Sequence, residues 1–263
     1  QLQALGDARV LAPIDLSKGE KTSAWLAFPW VPWQSLRRIL AEGPISPDKS
    51  LSLLRQVGEV LDNAHAHGIC HRNLKPANIY MSSSGEVLVG DFAMSTLAYG
   101  THPLIRSTLH SPEAAYTAPD QTAASERNFS SDVYSLGVIA YELLTGNVPF
   151  ALLDTASVRV KQMTESPRVP SSLNPTLPTV CDTVMLKALT NHPLERYGKC
   201  QEFLESLDAA LGTATSPVVT PSQPSVPSIQ RDPDQSGDKG PEGGLLCPGC
   251  GHGNTQDRIY CEV

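Results

Sequence analysis

The sequence predicts an α+β fold in which helices predominate, and two kinds of pattern support this prediction. Apolar residues recur three or four positions apart over 53–64 and again over 133–144, as expected for amphipathic helices. Two short apolar runs, 79–81 and 86–89, are separated by Ser-Ser-Ser-Gly at 82–85 and predict a β-hairpin. We therefore expect a helical core combined with a small sheet.

The helix boundaries carry recognisable signals. Ser46 is predicted to cap the first of these helices, with Pro47 at its first position and Gly68 just past its end. The second helix is expected to close at Gly146. Residues 179–189 and 200–211 form two further amphipathic stretches. We interpret most of these apolar residues as core and assign them no function.

The polar residues that flank the predicted hairpin suggest a reactive site. Residues 71–78 read His-Arg-Asn-Leu-Lys-Pro-Ala-Asn, and Asp-Phe-Ala follows at 91–93. The hairpin brings the loop before its first strand close to the loop after its second, so Asn78 and Asp91 are expected to converge. Mg²⁺ prefers oxygen ligands and usually binds substrate phosphates at the same time, and the Asn78 amide oxygen and the Asp91 carboxylate are ligands of this kind. Lys75 adds a cation beside them for phosphoryl charge.

This pattern resembles the catalytic loop and metal-binding motif of the protein kinase family, which has Asp at the position of Asn73 and Gly at that of Ala93. The resemblance implies a kinase-like α+β fold, mainly the α-rich large lobe with the last part of the small-lobe sheet. It implies ATP and Mg²⁺ as cofactors, catalytic roles for Asn73, Lys75, Asn78 and Asp91, and Mg²⁺ held by Asn78 and Asp91. Lys75 indicates the serine/threonine branch.

Residues 27–31 resemble the hinge that joins the two lobes of a kinase and holds adenine, with Phe28 as gatekeeper. The resemblance implies that the Pro29 carbonyl and both backbone groups of Val31 contact the nucleotide. It implies the same of Tyr80, Asn78 and Asp91. Proline has no N–H to donate, but the family requires only an acceptor at that hinge position.

Residues 116–120 resemble the end of the activation segment, and 131–137 resemble the start of the central helix of the large lobe. Arg196 matches an arginine that pairs with the carboxylate of that segment, here the shorter Asp120, so we predict a loose pair. Arg72 matches an arginine that can pair with a phosphate on the segment, and its alternative role is purely structural. The candidate phosphate acceptors are Ser95, Thr96, Thr101, Ser107, Thr108 and Ser111.

The start of the chain matches the last turns of the small-lobe helix, with Leu2 and Leu5 on its buried face. Strands are expected at 10–11 and 24–26. No G-x-G-x-x-G motif occurs in the 263 residues, and we expect the chain to be a fragment whose kinase-like domain covers 1–212.

The C-terminal part changes in composition. Residues 213–244 are rich in Thr, Ser, Pro, Gly and Asp, which predicts a disordered linker. Residues 245–263 resemble a truncated zinc ribbon, in which Cys247, Cys250 and Cys261 hold Zn²⁺ and a fourth ligand follows Val263. His252 is a weaker candidate for that ligand, and an accidental Cys-x-x-Cys is the alternative.

Bulk properties restrict the class of partner. A formal net charge of −7 gives no reason to expect nucleic acid as a partner. Scattered cysteines favour the reducing cytoplasm, and no apolar run approaches the length of a membrane span. The expected partners are a protein substrate or a signalling protein.

Three functions fit the sequence: a serine/threonine kinase, a pseudokinase that binds nucleotide or partners, and a zinc-ribbon adaptor. The architecture resembles bacterial multidomain serine/threonine kinases. Because Asn73 cannot accept the substrate's hydroxyl proton, we expect phosphotransfer to be impaired.

Overall fold

The structure is a computed structural model that describes residues 2–17, 25–92, 112–121, 129–150, 155–212, 245–246 and 253–254. The chain divides into two compact units, Gln1–Pro217 and Val218–Val263.

The described strands of the first unit form two small antiparallel sheets. One pairs β1 (Asp15–Ser17) with β2 (Trp25–Ala27), and the other has the order β3 (Gln34–Ser35), β4 (Ile79–Met81), β5 (Val87–Val89). The predicted hairpin is confirmed as β4 and β5, with Ile79 opposite Val89 and Tyr80 opposite Leu88. Its turn passes through Gly85, which has a φ of 87°, a conformation that favours glycine.

The prediction of a strand at 10–11 is wrong. Val10 forms an isolated parallel bridge with Val89, and the Leu11 N–H donates to the Val89 carbonyl at 2.9 Å. The hydrogen bonds of this segment therefore go to β5, and Pro13, which has no N–H, follows directly. The strand that pairs with β2 begins only at Asp15.

Helices make up most of the described part of the first unit. The α-helices are α1 (Leu36–Glu42), α2 (Pro47–Ala66), α3 (Ser130–Thr145), α4 (Thr155–Thr164), α5 (Pro170–Leu173), α6 (Val180–Ala188) and α7 (Cys200–Gly212). Short 3₁₀ turns lie at Leu2–Leu5, Pro76–Asn78, Pro112–Tyr116 and Pro193–Glu195. Ser46 and Pro47 begin α2, and Gly146 ends α3 with a φ of 73°, as predicted.

The hydrophobic core lies among α2, α3, α6 and α7. Helix α3 is buried on almost every face, which fits its nearly continuous apolar sequence. Helix α2 lies against α7 at Gly58, where an added Cβ would come within 2.6 Å of Leu204 Cδ1. The C-terminal end of α2 lies beside the first turn of α3, where His65 Nε2 is 2.8 Å from Asp132 Oδ2, and the loop 71–78 starts close to this contact.

The second unit contains one described element pair, β6 (Leu245–Leu246) antiparallel to β7 (Gly253–Asn254). The predicted linker 213–244 and the three cysteines of the predicted ribbon lie outside the described residues. The described part of the chain is thus an α+β fold, rich in helices with small antiparallel sheets.

Candidate active site

The loop 71–78 begins where α2 ends. The N–H of His67 and that of Ile69 both donate to the Ala64 carbonyl, at 3.0 and 2.9 Å, and Gly68 has a φ of 73°. A left-handed residue at this place is the usual way for a helix to end, and glycine adopts it without strain. The chain then runs through residues 71–75 into the 3₁₀ turn that leads to β4.

The carboxylate of Asp132, in the first turn of α3, anchors this loop. It accepts the N–H of His71 on Oδ2 and that of Arg72 on Oδ1, both at 2.8 Å, and Oδ2 also lies 2.8 Å from His65 Nε2. Asp132 is completely buried. Burial alone would raise the pKa of this carboxyl, but the hydrogen bonds from His65 and from the Arg72 amide outweigh it and lower the pKa.

His71 connects the loop to the Asp-Phe-Ala segment. Its ring is fully buried and lies 4.4 Å from the ring of Phe92, measured between centroids. Burial lowers the pKa of His71, so the ring is neutral near pH 7, and its Nδ1 accepts the Asn73 N–H at 3.3 Å. Because His71 is engaged in this way, we interpret it as a support for the loop.

Two non-glycine residues of the site have left-handed backbone conformations. Arg72 has a φ of 64° and Asp91 a φ of 60°. Such conformations cost free energy and cluster at functional sites, where surrounding contacts maintain them. At Arg72 those contacts are visible on both sides, because Asp132 accepts its N–H and Gln121 Nε2 donates to its carbonyl at 2.6 Å.

The structure brings the predicted magnesium ligands to one edge of the hairpin. The Gly90 N–H donates to the Asn78 carbonyl at 2.8 Å, so Asp91 follows directly beside Asn78. The Asn78 Nδ2 donates to the Asn73 carbonyl at 2.9 Å, which orients its amide and joins the two asparagines. Lys75 is half-buried and extended, directly before the 3₁₀ turn.

The predicted hinge follows β2. Pro29 and Trp30 are exposed and Val31 is half-buried. Pro29 and Val31 line an apolar cavity of about 480 Å³, together with residues such as Val10, Ile14 and Leu88. Tyr80 does not line this cavity. The pKa of Tyr80 is raised, mainly by burial and to a smaller extent by the negative charge of Asp91. Of the five residues predicted to bind the nucleotide, Pro29 and Val31 therefore line this cavity, and Tyr80, Asn78 and Asp91 do not.

The prediction of a loose pair between Asp120 and Arg196 is wrong. Arg196 Nη2 donates to Asp120 Oδ1 at 2.6 Å, and the arginine side chain is completely buried. Arg196 also donates to the carbonyls of Ser130, Thr190 and Asn191, at 3.0, 2.9 and 3.1 Å. The planar guanidinium reaches all these acceptors at once, so the shorter carboxylate does not weaken the contact.

Several predicted residues lie outside the described part of the chain. They are Ala93, the candidate phosphate acceptors between Ser95 and Ser111, and the zinc ligands Cys247, Cys250 and Cys261. The regulatory role of Arg72 and the ribbon therefore stay predictions.

The sequence did not indicate the roles of Asp132, His65 and Gln121. Asp132 lies about 60 residues from the amides that it binds. A partial signal was present, since the apolar run 136–141 indicates a largely buried helix, and an aspartate that such a helix buries needs hydrogen-bond partners.

Comparison with known proteins agrees with this geometry. Residues 5–207 match the model of the protein kinase domain. The chain is 30% identical over 197 residues to the probable serine/threonine-protein kinase PknB of Lactococcus lactis, covering 74% of the chain and 31% of that protein. It is 32% identical over 209 residues to serine/threonine-protein kinase PknB of Mycobacterium tuberculosis, covering 78% of the chain and 33% of that protein.

A third relative, the probable serine/threonine-protein kinase CE0033 of Corynebacterium efficiens, is 33% identical over 189 residues, or 70% of the chain and 29% of that protein. The chain thus spans about a third of the length of these curated relatives. None of the described helices is both long and apolar enough to cross a membrane. From the match of residues 5–207, the chain belongs to the protein kinase family, and the relatives that it resembles are bacterial serine/threonine kinases.

Proposed function

We propose that this chain is the larger part of a serine/threonine protein kinase domain, carried by a longer protein, that binds Mg²⁺–ATP and transfers phosphate slowly. In this proposal Asn78 and Asp91 hold Mg²⁺, and Lys75 neutralises charge on the transferred phosphoryl group. Asn73 receives the substrate hydroxyl. The observation that carries the proposal is Asn73 at the position of the kinase base, in a loop 71–78 whose backbone is held by hydrogen bonds to Asp132 and Asn78.

The hydrogen bonds of the loop 71–78 indicate that slow transfer would result from the side chain of Asn73 and not from a misplaced backbone. Asp132 binds the amides of His71 and Arg72, and the Asn78 amide binds the carbonyl of Asn73. The backbone around residue 73 is therefore fixed from both sides. A carboxylate introduced at this position would inherit a backbone that is already in place.

The chemistry of asparagine sets the size of the defect. A carboxamide does not take up the proton of the substrate hydroxyl, and general-base catalysis typically contributes about 10²–10⁴-fold. The amide oxygen can still accept a hydrogen bond from that hydroxyl and orient it. Since positioning and electrostatic stabilisation carry much of phosphoryl transfer, slow transfer is expected to persist.

The test is the substitution Asn73→Asp in the longer protein, with transfer of labelled phosphate to protein as the measurement. We expect transfer to increase by at least about tenfold, towards the contribution of a general base. Calorimetry provides the matched control: Asn73→Asp should leave Mg²⁺-dependent ATP binding unchanged, and Asp91→Ala should abolish it. Equal transfer rates in the wild type and the Asn73→Asp variant would contradict the proposal.

A pseudokinase is the second candidate, and Asn73 itself favours it. In that case the wild type and the Asn73→Asp variant both bind Mg²⁺–ATP, but neither of them transfers phosphate. An adaptor without nucleotide binding is separated from both by the same calorimetry, because it shows no Mg²⁺-dependent ATP binding.

We also propose that residues 245–263 are the first part of a zinc ribbon attached to the kinase domain through the linker 213–244. Cys247 and Cys250 lie between β6 and β7, so an antiparallel strand pair flanks the Cys-x-x-Cys segment on both sides. Two thiolates three residues apart, with Cys261 as a third ligand, suit a structural Zn²⁺ site.

A further inference from the structure

A second cluster of possible metal ligands lies in the helical core of the first unit and shares no residue with the predicted magnesium site. Asp62 and His65 are three residues apart on one face of α2, and Cys200 is the first residue of α7. One ligand atom from each of them lies within 4.8 Å of the others. In the described part of the chain, this is the one group of at least three histidine, cysteine or acidic residues that could hold a metal ion.

The imidazole of His65 is oriented as metal-binding histidines are. Its Nε2 lies 2.8 Å from the buried carboxylate of Asp132, which leaves Nδ1 directed towards Asp62 Oδ1 at 3.8 Å. Metal-bound histidines commonly donate their second ring N–H to a carboxylate, which fixes the tautomer and makes the ligating nitrogen more basic. The contact between His65 and Asp132 does not involve Cys200, so it is a second observation, separate from the closeness of the three ligand atoms, that favours a metal site.

The distances suit a small tetrahedral ion. Bonds of about 2.0–2.3 Å to nitrogen, oxygen and sulfur place neighbouring ligand atoms about 3.3–3.8 Å apart in a tetrahedron. For a nitrogen and an oxygen ligand the separation is about 3.3–3.5 Å, so the 3.8 Å between His65 Nδ1 and Asp62 Oδ1 has to shorten by about 0.3–0.5 Å. The remaining separations, at most 4.8 Å, require a contraction of about 1 Å.

The thiol of Cys200 lies inside this cluster and is hydrogen-bonded to the Asp62 carboxylate. It is completely buried and forms no disulfide. Burial, and then the charges of Asp62 and Asp132, raise the pKa of the Cys200 thiol well above its usual value, so it keeps its proton without metal. A bound cation would reverse this balance, because coordination deprotonates a thiol and compensates the charge of the neighbouring carboxylates.

The present role of Asp62 does not exclude coordination. Its carboxylate caps α7 by accepting the N–H of Cys200 on Oδ1 and that of Gln201 on Oδ2, at 2.9 and 3.0 Å. Each carboxylate oxygen has two lone pairs, so an oxygen that accepts one N–H can still bind a cation. The helix cap and the metal bond are therefore compatible.

We propose that Asp62, His65 and Cys200 form a Zn²⁺ site with three protein ligands and one position for water. Zn–S, Zn–N and Zn–O bonds form, and the Cys200 proton is released to solvent. A ligand set of thiolate, imidazole and carboxylate selects Zn²⁺ over Mg²⁺, which prefers oxygen ligands alone. The ion would connect α2 to α7, and through His65 it would contact the carboxylate that anchors the loop 71–78.

The experiment uses the full chain in which Cys247, Cys250 and Cys261 are all replaced by serine, so that the predicted ribbon cannot bind metal. After treatment with a chelator, Co²⁺ is added as a spectroscopic probe and Zn²⁺ is titrated in competition. We expect one Co²⁺ per chain with a thiolate-to-cobalt absorption band. We also expect proton release on Zn²⁺ binding and weaker binding at lower pH.

Cys200→Ser should remove the absorption band and weaken Zn²⁺ binding at least about tenfold. Asp62→Asn keeps an oxygen for one amide of the cap and should weaken binding by a similar factor, which guards against a folding defect in the first variant. Cys181→Ser is the matched control, because Cys181 is equally buried but outside the cluster, and it should leave binding unchanged. Absence of Co²⁺ and Zn²⁺ binding in the folded parent, or a band that survives Cys200→Ser, would overturn the proposal.

Discussion

Asp132 is the residue on which the loop 71–78 depends most directly. Both of its oxygens act as acceptors, Oδ1 for the Arg72 amide and Oδ2 for the His71 amide and the His65 ring. Asparagine has the same shape but replaces one of these acceptors with an NH₂ donor. At least one buried N–H would then lose its partner and face another donor.

We therefore expect Asp132→Asn to lower the free energy of unfolding by about 2–4 kcal/mol at pH 7. The pKa of Asp132 is lowered in the folded state, so the stability that this carboxylate contributes is fully present above its unfolded pKa of about 4. That stability is lost as the pH falls through the still lower folded pKa.

The measurement is urea unfolding of the wild type and the variant at a series of pH values. The difference between them should be constant above about pH 5 and should shrink below about pH 4. Glu205→Gln, at an exposed position on α7, should change stability by less than about 0.5 kcal/mol. A difference that stays the same down to about pH 2 would show that the Asp132 charge does not contribute.

At the scale of elements, the close approach of α2 and α7 depends on Gly58. A Cβ there would lie 2.6 Å from Leu204 Cδ1 and 3.1 Å from Gln201 Nε2. Alanine is the better helix former by about 1 kcal/mol, but Leu204 is buried and has to move. We expect Gly58→Ala to destabilise the protein by about 1–2 kcal/mol net.

Chemical denaturation of Gly58→Ala, Leu204→Val and the double variant tests this packing. The two substitutions should cost less together than the sum of their separate effects, because the shorter valine removes the atom that clashes. In Gly212→Ala the added Cβ meets nothing within 4 Å, and no loss of stability is expected. Strict additivity in the double variant would count against the packing explanation.

The buried ion pair of Asp120 and Arg196 joins the end of the predicted activation segment to the 3₁₀ turn at Pro193–Glu195. Arg196→Met leaves the largely buried Asp120 carboxylate without this counter-charge, although the Ser131 hydroxyl still donates to it at 3.1 Å, and leaves three backbone carbonyls without their donor, so it should cost about 3 kcal/mol. Arg196→Lys keeps the charge but loses the planar array of donors, and we expect an intermediate loss of about 2 kcal/mol.

The exposed pair of Lys161 on α4 and Glu165, the residue after that helix, supplies the control, with Lys161 Nζ 3.8 Å from Glu165 Oε2. Lys161→Met should change the free energy of unfolding by less than about 0.5 kcal/mol, since exposed pairs contribute little. Thermal and urea unfolding should find Arg196→Met the least stable, Arg196→Lys intermediate and the wild type the most stable. If Arg196→Met and Lys161→Met cost the same, the buried pair is not a structural anchor.

The elements that the sequence predicted best are those whose own residues determine them. Helices α2 and α3 follow from apolar periodicity and from Pro47 and Gly146, which act locally. Strand β1 could not be placed, because Asp15-Leu16-Ser17 has no strand pattern and its conformation depends on pairing with β2. The strength of the Asp120–Arg196 contact likewise depends on residues 76 positions apart, and the choice of side chain alone gave the wrong expectation.

At the scale of the whole molecule, the second unit depends on metal if the ribbon proposal is correct. Leu245, Leu246, Ile259 and Tyr260 are the few large apolar residues in 245–263. Such a segment cannot fold through burial alone, so Zn²⁺ must supply most of its folding free energy. Extending the chain by a few native residues past Val263 should complete the site.

We expect this extended, reduced protein to retain one Zn²⁺ at the ribbon, which is lost in Cys250→Ser. Elemental analysis after desalting measures it, and Cys70→Ser, a buried cysteine of the first unit, serves as the control that should leave the metal content unchanged. Because Cys200 is proposed to bind a separate ion, the comparison is made in a Cys200→Ser background. No zinc in that background would leave Cys247, Cys250 and Cys261 as ordinary residues of a tail.

The attachment of the loop 71–78 to Asp132 has a consequence for how the chain acquires its structure. His71 and Arg72 obtain their hydrogen bonds from a residue 61 and 60 positions later, so these bonds cannot form while α2 and α3 are still apart. Closing so long a segment costs entropy that only helix docking repays. The loop 71–78 therefore takes shape only once α2 and α3 have docked, and any event that separates these two helices also removes its hydrogen bonds to Asp132.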